Sequence, residues 1–245
     1  KELVLLAKSI LSLPSKWHGL QDKEERYRKR YLDLIMNPEV KDLFIKRAKI
    51  IDVIKKYLKD MDFLEVETPN LQTIYGGASA KPFETHLNAL DMNLYLSISP
   101  ELYLKRLVVG GIDKVFTICK NFRNEGIDKF HNPEFTMLEF YYAYANYEKL
   151  MSITEELLKN IFKELKLNNE IEYQGKKINF KFPIKRVKFS DLVKEKTKID
   201  IEKANNFQLL KSEIEKKQKG VNIKHCKHYG SLLDELYKRV VRPSI

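Results

Sequence analysis

Two apolar segments, Val115–Phe122 and Phe135–Tyr142, flank the polar stretch Arg123–Glu134, and this arrangement constrains the fold more than any other feature. Both segments have the length and composition of strands, and a connector of that size joins antiparallel neighbours without a helical crossover. The second segment also has a definite parity. Phe135, Met137, Glu139 and Tyr141 fall on one face, and Thr136, Leu138, Phe140 and Tyr142 on the other. A carboxylate among apolar neighbours on a sheet face is costly unless it is partnered. Glu139 is therefore expected to meet either a protein cation or a cationic ligand.

Helical and strand periods alternate around this hairpin. Val40, Leu43, Phe44, Ala48, Ile51, Ile54, Leu58 and Met61 recur at helical spacing and predict a long amphipathic helix, with its stripe serving a core or an interface. Leu64-Glu65-Val66-Glu67 alternates as a strand closed by Thr68-Pro69. A loop at Gly76-Gly77-Ala78 precedes a strand carrying Leu94, Leu96 and Ile98. Ser99-Pro100-Glu101 reads as N-cap, first helical position and early acid of a helix that stops at Gly110-Gly111. A further helix is expected over Tyr147–Leu165, a hairpin turn at Tyr173–Lys176, a short helix over Lys188–Lys196, and two polar helices between 201 and 242. No βαβ alternation or Gly-rich phosphate loop is visible. The expected class is α+β, an antiparallel sheet flanked by helices.

Charge narrows the partners. The 45 Lys and Arg against 34 Asp and Glu give a net charge of +11, which usually implies a polyanionic partner. The excess is uneven: +2 over residues 1–150 and +9 over 151–245. The runs Lys176–Lys188 and Lys211–Lys227 read as solvated faces of a Lys-rich chain. No stretch approaches the ~18 apolar residues of a membrane span. Lys1–Leu13 is apolar without a secretory cleavage pattern, so no signal peptide is read there. The two cysteines, Cys119 and Cys226, read as reduced thiols; His225-Cys226-Lys227-His228 lacks the further ligands of a zinc site, which takes about four.

The loop after the first strand is unusually rich in polar groups. Arg123 offers a planar fork for an anionic oxygen, and nearby carboxylates suit amine donors. The strings Phe122-Arg-Asn-Glu-Gly-Ile-Asp128 and His131-Asn-Pro-Glu-Phe-Thr-Met-Leu-Glu-Phe140 resemble motif 2 of the class II aminoacyl-tRNA synthetases, in its lysyl form. Phe63-Leu-Glu-Val-Glu-Thr-Pro69 resembles motif 1, the family's dimer interface. Gly76-Gly-Ala-Ser-Ala-Lys-Pro-Phe83, His86–Asp91 and Ser99-Pro-Glu-Leu-Tyr103 are also of the lysyl type; the aspartyl and asparaginyl relatives carry Ser-Pro-Gln at the last of these. Trp17-His-Gly-Leu20 with Arg26–Leu34 resembles the connector from an anticodon-binding OB-fold.

The resemblance implies roles. Arg123 would hold the α-phosphate of ATP and the carboxylate of L-lysine. Glu125, His131 and Asn132 would contact the nucleotide, and Phe135 would stack on adenine. Gly77 would admit the lysine α-amine, Glu101 would bind it, and Glu139 and Tyr141 would line the lysine pocket. The implied reaction forms lysyl-adenylate and then charges tRNA(Lys), with Mg²⁺, in a homodimer joined through Val40–Pro69, in the cytoplasm or an organelle and away from membranes. The family's motif 3 and its Mg²⁺ ligands would lie beyond residue 245. The expected layout is thus the end of an OB-fold and connector over 1–20, a catalytic core over 21–200, and a truncated helical insertion over 201–245. Such a piece is expected to be inactive alone. Two other readings use the same residues: a paralogue that lysylates a translation factor, and a non-catalytic nucleic-acid-binding module that keeps the fold.

Overall fold

A computed structural model describes residues 2–8, 10, 11, 13, 20–128 and 130–245. The connector expected at Pro14 and Trp17–Gly19 lies outside the described residues. The chain divides into two compact units, residues 1–181 and 182–245.

In the first unit the charged segment folds as two short helices, α1 (Lys23–Arg28) and α2 (Arg30–Met36). They close on Asp33, whose buried carboxylate accepts from Arg26 Nε at 2.7 Å, from Asn37 Nδ2 at 2.7 Å and from Arg30. Burial acts to raise the Asp33 pKa, but the hydrogen bonds from Asn37, Arg26 and Arg30 outweigh it and hold the carboxyl below its usual range. The long helix α3 (Pro38–Asp60) starts with Pro at its first turn and carries Glu39 there and Lys59 in its last turn, as the helix dipole favours.

Its apolar stripe does two different things. The C-terminal half, Ile54 and Leu58 with Met61 behind them, packs on Phe63 and Phe116. In the N-terminal half, Leu43, Phe44 and Ile45 are 65%, 44% and 44% exposed. Only half of the stripe is core.

The central sheet has the order β1 (Leu64–Glu65), β5 (Lys114–Phe122), β6 (Glu134–Tyr142). The β5–β6 hairpin is antiparallel in unbroken register from Lys114↔Tyr142 to Phe122↔Glu134. β1 runs parallel to β5, so the sheet is mixed where the sequence predicted antiparallel pairing throughout. Parallel addition follows from the chain path, since a helix at Glu101–Val109 lies between the two strands and supplies a crossover. Residues facing one another in this register share a face. Phe116, Ile118, Leu138, Phe140 and Tyr142 lie against Leu58 and Phe63 under α3, and Phe63 meets Phe140 and Tyr142 edge-on, with ring centroids 5.7 Å apart in each case. The opposite face carries Thr117, Cys119, Asn121, Phe135, Met137, Glu139 and Tyr141.

A second sheet, order β2 (Leu71–Gln72), β4 (Met92–Leu96), β3 (Glu84–Leu87), is antiparallel. β2 and β3 had no readable strand period, being short and largely exposed. β4 leads through Ser97–Pro100 into α4 (Glu101–Val109), which begins one residue later than the Ser-Pro cap pattern predicted. Helix α5 (Tyr147–Glu164), capped by the Asn146 side chain, lies on α3, and the hairpin β7 (Glu170–Tyr173)–β8 (Lys176–Asn179) follows.

The second unit packs α6 (Phe189–Thr197), α7 (Phe207–Lys217) and α8 (Tyr229–Leu236) around Val193, Ile199, Leu210, Ile214, Leu232, Leu236 and Val241. Val193 and Ile199 share this core, which is why the boundary precedes α6. Cys226 is buried in it, and His228 caps α8 through its Nδ1, which accepts the Ser231 N–H. No helix among the described residues is long and apolar enough to cross a membrane.

Candidate active site

The site face of the hairpin is closed by the turns of the second sheet. Phe122 N–H donates to Ser97 O at 2.8 Å, and Asn124 N–H donates to Lys81 O at 2.8 Å. These bonds bring residues 76–83, 97–101 and the start of the 123–133 loop over one patch of β5 and β6.

Glu139 lies in the middle of that patch. Ser99 Oγ donates to its Oε2 at 3.0 Å, and Tyr141 Oη donates to its Oε1 at 2.9 Å. The partner expected for this carboxylate was a cation. Among the described residues, no lysine, arginine or histidine forms an ion pair with it, and two neutral hydroxyls hold it in place. Burial, then the hydrogen bond and charge of Glu139, then the charge of Glu101, push the Tyr141 phenol well above its usual pKa of 10.0. Tyr141 is therefore a donor, not an anion, at neutral pH. Burial likewise raises the Cys119 thiol, with Glu139 adding to the effect.

Glu101, at the first turn of α4, is paired with Lys105 Nζ at 2.5 Å. The same ammonium lies 6.0 Å from the Tyr141 ring centroid. Gly77 passes directly over this corner with φ +84°. A Cβ on it would lie 2.6 Å from Glu101 Cβ and 2.9 Å from Ser99 Oγ. Glycine is required here twice, for its left-handed backbone and for the close approach.

Arg123 follows β5. Its guanidinium carbon lies 5.0 Å from the Phe135 ring centroid, and Nη2 reaches Ile98 O only at 3.5 Å. Among the described residues, Arg123 Nε is buried with no hydrogen-bond partner. An unmet buried donor of this kind costs about 1–3 kcal/mol, more on a charged group. No hydrogen bond or ion pair joins Arg123 to Glu125 among the described residues, so the two do not form a simple loop pair.

The remaining loop residues are less tied to the patch. His131 Nδ1 lies 2.7 Å from Asp128 Oδ2, and Asp128 also accepts the backbone N–H groups of Phe130 and His131. The Phe130 N–H, followed by His131, holds the Asp128 carboxyl below its usual range. Glu125, His131 and Asn132 are all exposed. The structure thus brings together Gly77, Glu101, Arg123, Phe135, Glu139 and Tyr141, and leaves Glu125, His131 and Asn132 on an open loop. Among the described residues, no group of three or more His, Cys, Asp or Glu side chains is placed to hold a metal ion.

Sequence reasoning missed Ser97, Thr117 and Asn121, and it read Ser99 only as a cap. Ser97 Oγ lies 3.1 Å from Asn121 Oδ1, both side chains being buried. Applying the period of two to β5 would have found Thr117 and Asn121, because Thr117, Cys119 and Asn121 alternate with Phe116, Ile118 and Phe122.

Residues 22–240 match the family model of class II tRNA synthetases (D, K and N), and the chain belongs to that family. Within it, the chain is similar to lysine–tRNA ligases. It is 48% identical to those of Syntrophomonas wolfei and Carboxydothermus hydrogenoformans, with 100% and 98% of the chain covered and 49% of each relative. It is also 48% identical to lysine–tRNA ligase 2 of Methanosarcina mazei, covering 100% of the chain and 47% of that protein. The chain spans about half the length of the curated relatives it matches.

Proposed function

We propose that the protein containing this chain activates L-lysine with ATP and transfers the lysyl group to tRNA(Lys). The observation that carries the reading is Glu139 and Tyr141 on one sheet face with Glu101 of α4 above them, beside Arg123, whose buried Nε has no hydrogen-bond partner among the described residues. Two carboxylates and a phenol suit a substrate with two ammonium groups, and an arginine fork suits a carboxylate or phosphate.

In the first step a lysine carboxylate oxygen attacks the α-phosphorus of ATP, the bond to the β-phosphate oxygen breaks, and pyrophosphate leaves. The attacking group is already ionised at neutral pH, so no protein base is needed. Arg123 contributes by bridging the two reacting groups and offsetting their charge. Glu101, beneath Gly77, takes the α-amine, and Glu139 with Tyr141 lines the side-chain pocket. Phe135 stacks on adenine, while Glu125, His131 and Asn132 close on the nucleotide from their exposed loop. Mg²⁺ is a cofactor of this reading, and no step here runs through it. The exposed Leu43, Phe44 and Ile45 on α3 support a homodimer through 40–69, and the reading suits a cytoplasmic or organellar protein.

Lysine-dependent ATP–pyrophosphate exchange in the full-length protein, run across the twenty amino acids, tests the reading. Lysine alone should support exchange. Arg123→Ala should lower it by ~10²–10³-fold, as expected for removal of a group stabilising transition-state charge, with the fold intact. Exchange retained in that variant, or exchange driven by another amino acid, overturns the assignment.

A further inference from the structure

Ser99 is 4% exposed, and its proton and one of its lone pairs are used within the protein. Oγ accepts the Glu101 N–H at 3.1 Å and donates to Glu139 Oε2 at 3.0 Å, forty residues away in sequence. A hydroxyl has one proton, and an N–H can only donate. The Ser99 proton is therefore directed at Glu139, and Glu139 must accept it. The other oxygen, Oε1, accepts from Tyr141, itself held protonated by its surroundings. Two donors on two oxygens fix the plane of the carboxylate. Gly77 leaves the space that lets Ser99 sit there, since a Cβ would lie 2.9 Å from Oγ.

We propose that Ser99 is a positioning residue for amine recognition: its hydroxyl ties the start of α4, which carries Glu101, to Glu139 on β6. The spacing and orientation of the two carboxylates toward an ammonium ligand are thereby set by one side chain that never touches that ligand. The inference rests on the lysine-pocket reading above and adds to it the element that controls specificity. Among the described residues, Tyr141 on its own strand and Cys119 on β5 interact with Glu139, and Tyr141 also meets Glu101 of α4, which pairs with Lys105. None of them duplicates the link that Ser99 makes.

The experiment is steady-state exchange kinetics of Ser99→Ala, Glu139→Gln and the double variant in the full-length protein, with thermal melting of each. Ser99→Ala is expected to raise KM for lysine by about tenfold, the scale of a hydrogen bond to a charged group, with KM for ATP and kcat within twofold. In the Glu139→Gln background the same substitution should add less than twofold, because the charge whose position Ser99 sets is gone. Where Glu139→Gln leaves too little turnover, lysine protection against thermal unfolding provides the same comparison. Three results overturn the proposal: an unchanged lysine KM, a parallel rise in both KM values with a lowered Tm, or full additivity in the double variant. An absence of lysine-dependent exchange in the unsubstituted protein would instead remove the reading on which the proposal stands.

Discussion

Replacing Gly77 by alanine tests the corner where backbone strain and pocket geometry meet. At φ +84° an alanine occupies a conformation costing roughly 1–2 kcal/mol for an L-residue. The new Cβ would also lie 2.6 Å from Glu101 Cβ, against an ordinary carbon–carbon contact of about 3.5–4.0 Å. Glu101 Cβ is fixed to the first turn of α4 and cannot swing aside like the tip of a side chain. Either residues 76–78 lift or the start of α4 moves, by about 1 Å in both cases. A displacement of that size at a positioning element can reduce turnover by ~10²-fold. We expect Gly77→Ala to lose 1–2 kcal/mol or more in urea denaturation. Lysine-dependent exchange should fall ~100-fold, with weaker lysine binding as a main contributor. Gly126→Ala is the control, since a Cβ there meets nothing within 4 Å. If Gly77→Ala keeps exchange within threefold and stability within about 0.5 kcal/mol, the close-approach argument is refuted.

Three more expectations follow from the same contacts. Tyr141→Phe removes the donor to Glu139 Oε1 and should raise KM for lysine about tenfold while leaving KM for ATP unchanged, as exchange kinetics would read. Leu58, fully buried between α3 and the sheet, should cost about 2–5 kcal/mol when cut to alanine, measured by urea denaturation of this chain. Glu65 links β1 to α3 by accepting from Lys55 and Lys59, and those bonds, Lys55 first, hold its carboxyl below the usual 4.5. A depressed carboxyl pKa contributes stability that is present above 4.5 and is lost as pH falls through the lower folded value. Glu65→Gln should therefore be less stable than the parent at pH 7, and the gap should close as pH drops below 4.5. A gap independent of pH would count against the ion-pair account.

Much of this molecule is written in local pattern. The 3.6-residue stripe of α3 and the two-residue alternation of β6 are legible because each reports one element meeting one apolar layer. The parity of β6 alone put Glu139 and Tyr141 opposite Phe140 and Tyr142, and the resemblance carried by Arg123–Asp128 and His131–Phe140 supplied candidate roles. Short exposed elements such as β2 and β3 were illegible because two to four residues hold too little period. The split of the α3 stripe into buried Leu58 and exposed Leu43 was also hidden, since helical spacing is the same over core and over an open face. Which hydroxyl reaches Glu139 could not be read either. Ser99 and Glu139 are forty positions apart, and only the packing of the Ser97–Glu101 turn on β5 and β6 brings them to 3.0 Å. Hydrogen-bond direction belongs to the assembled site, because it depends on the Glu101 amide occupying the Ser99 lone pair. Sequence alone thus determined the long elements, their apolar stripes and the family of chemistry. The tertiary structure decided which polar atoms meet, because such contacts are set by distances between segments that no local period encodes.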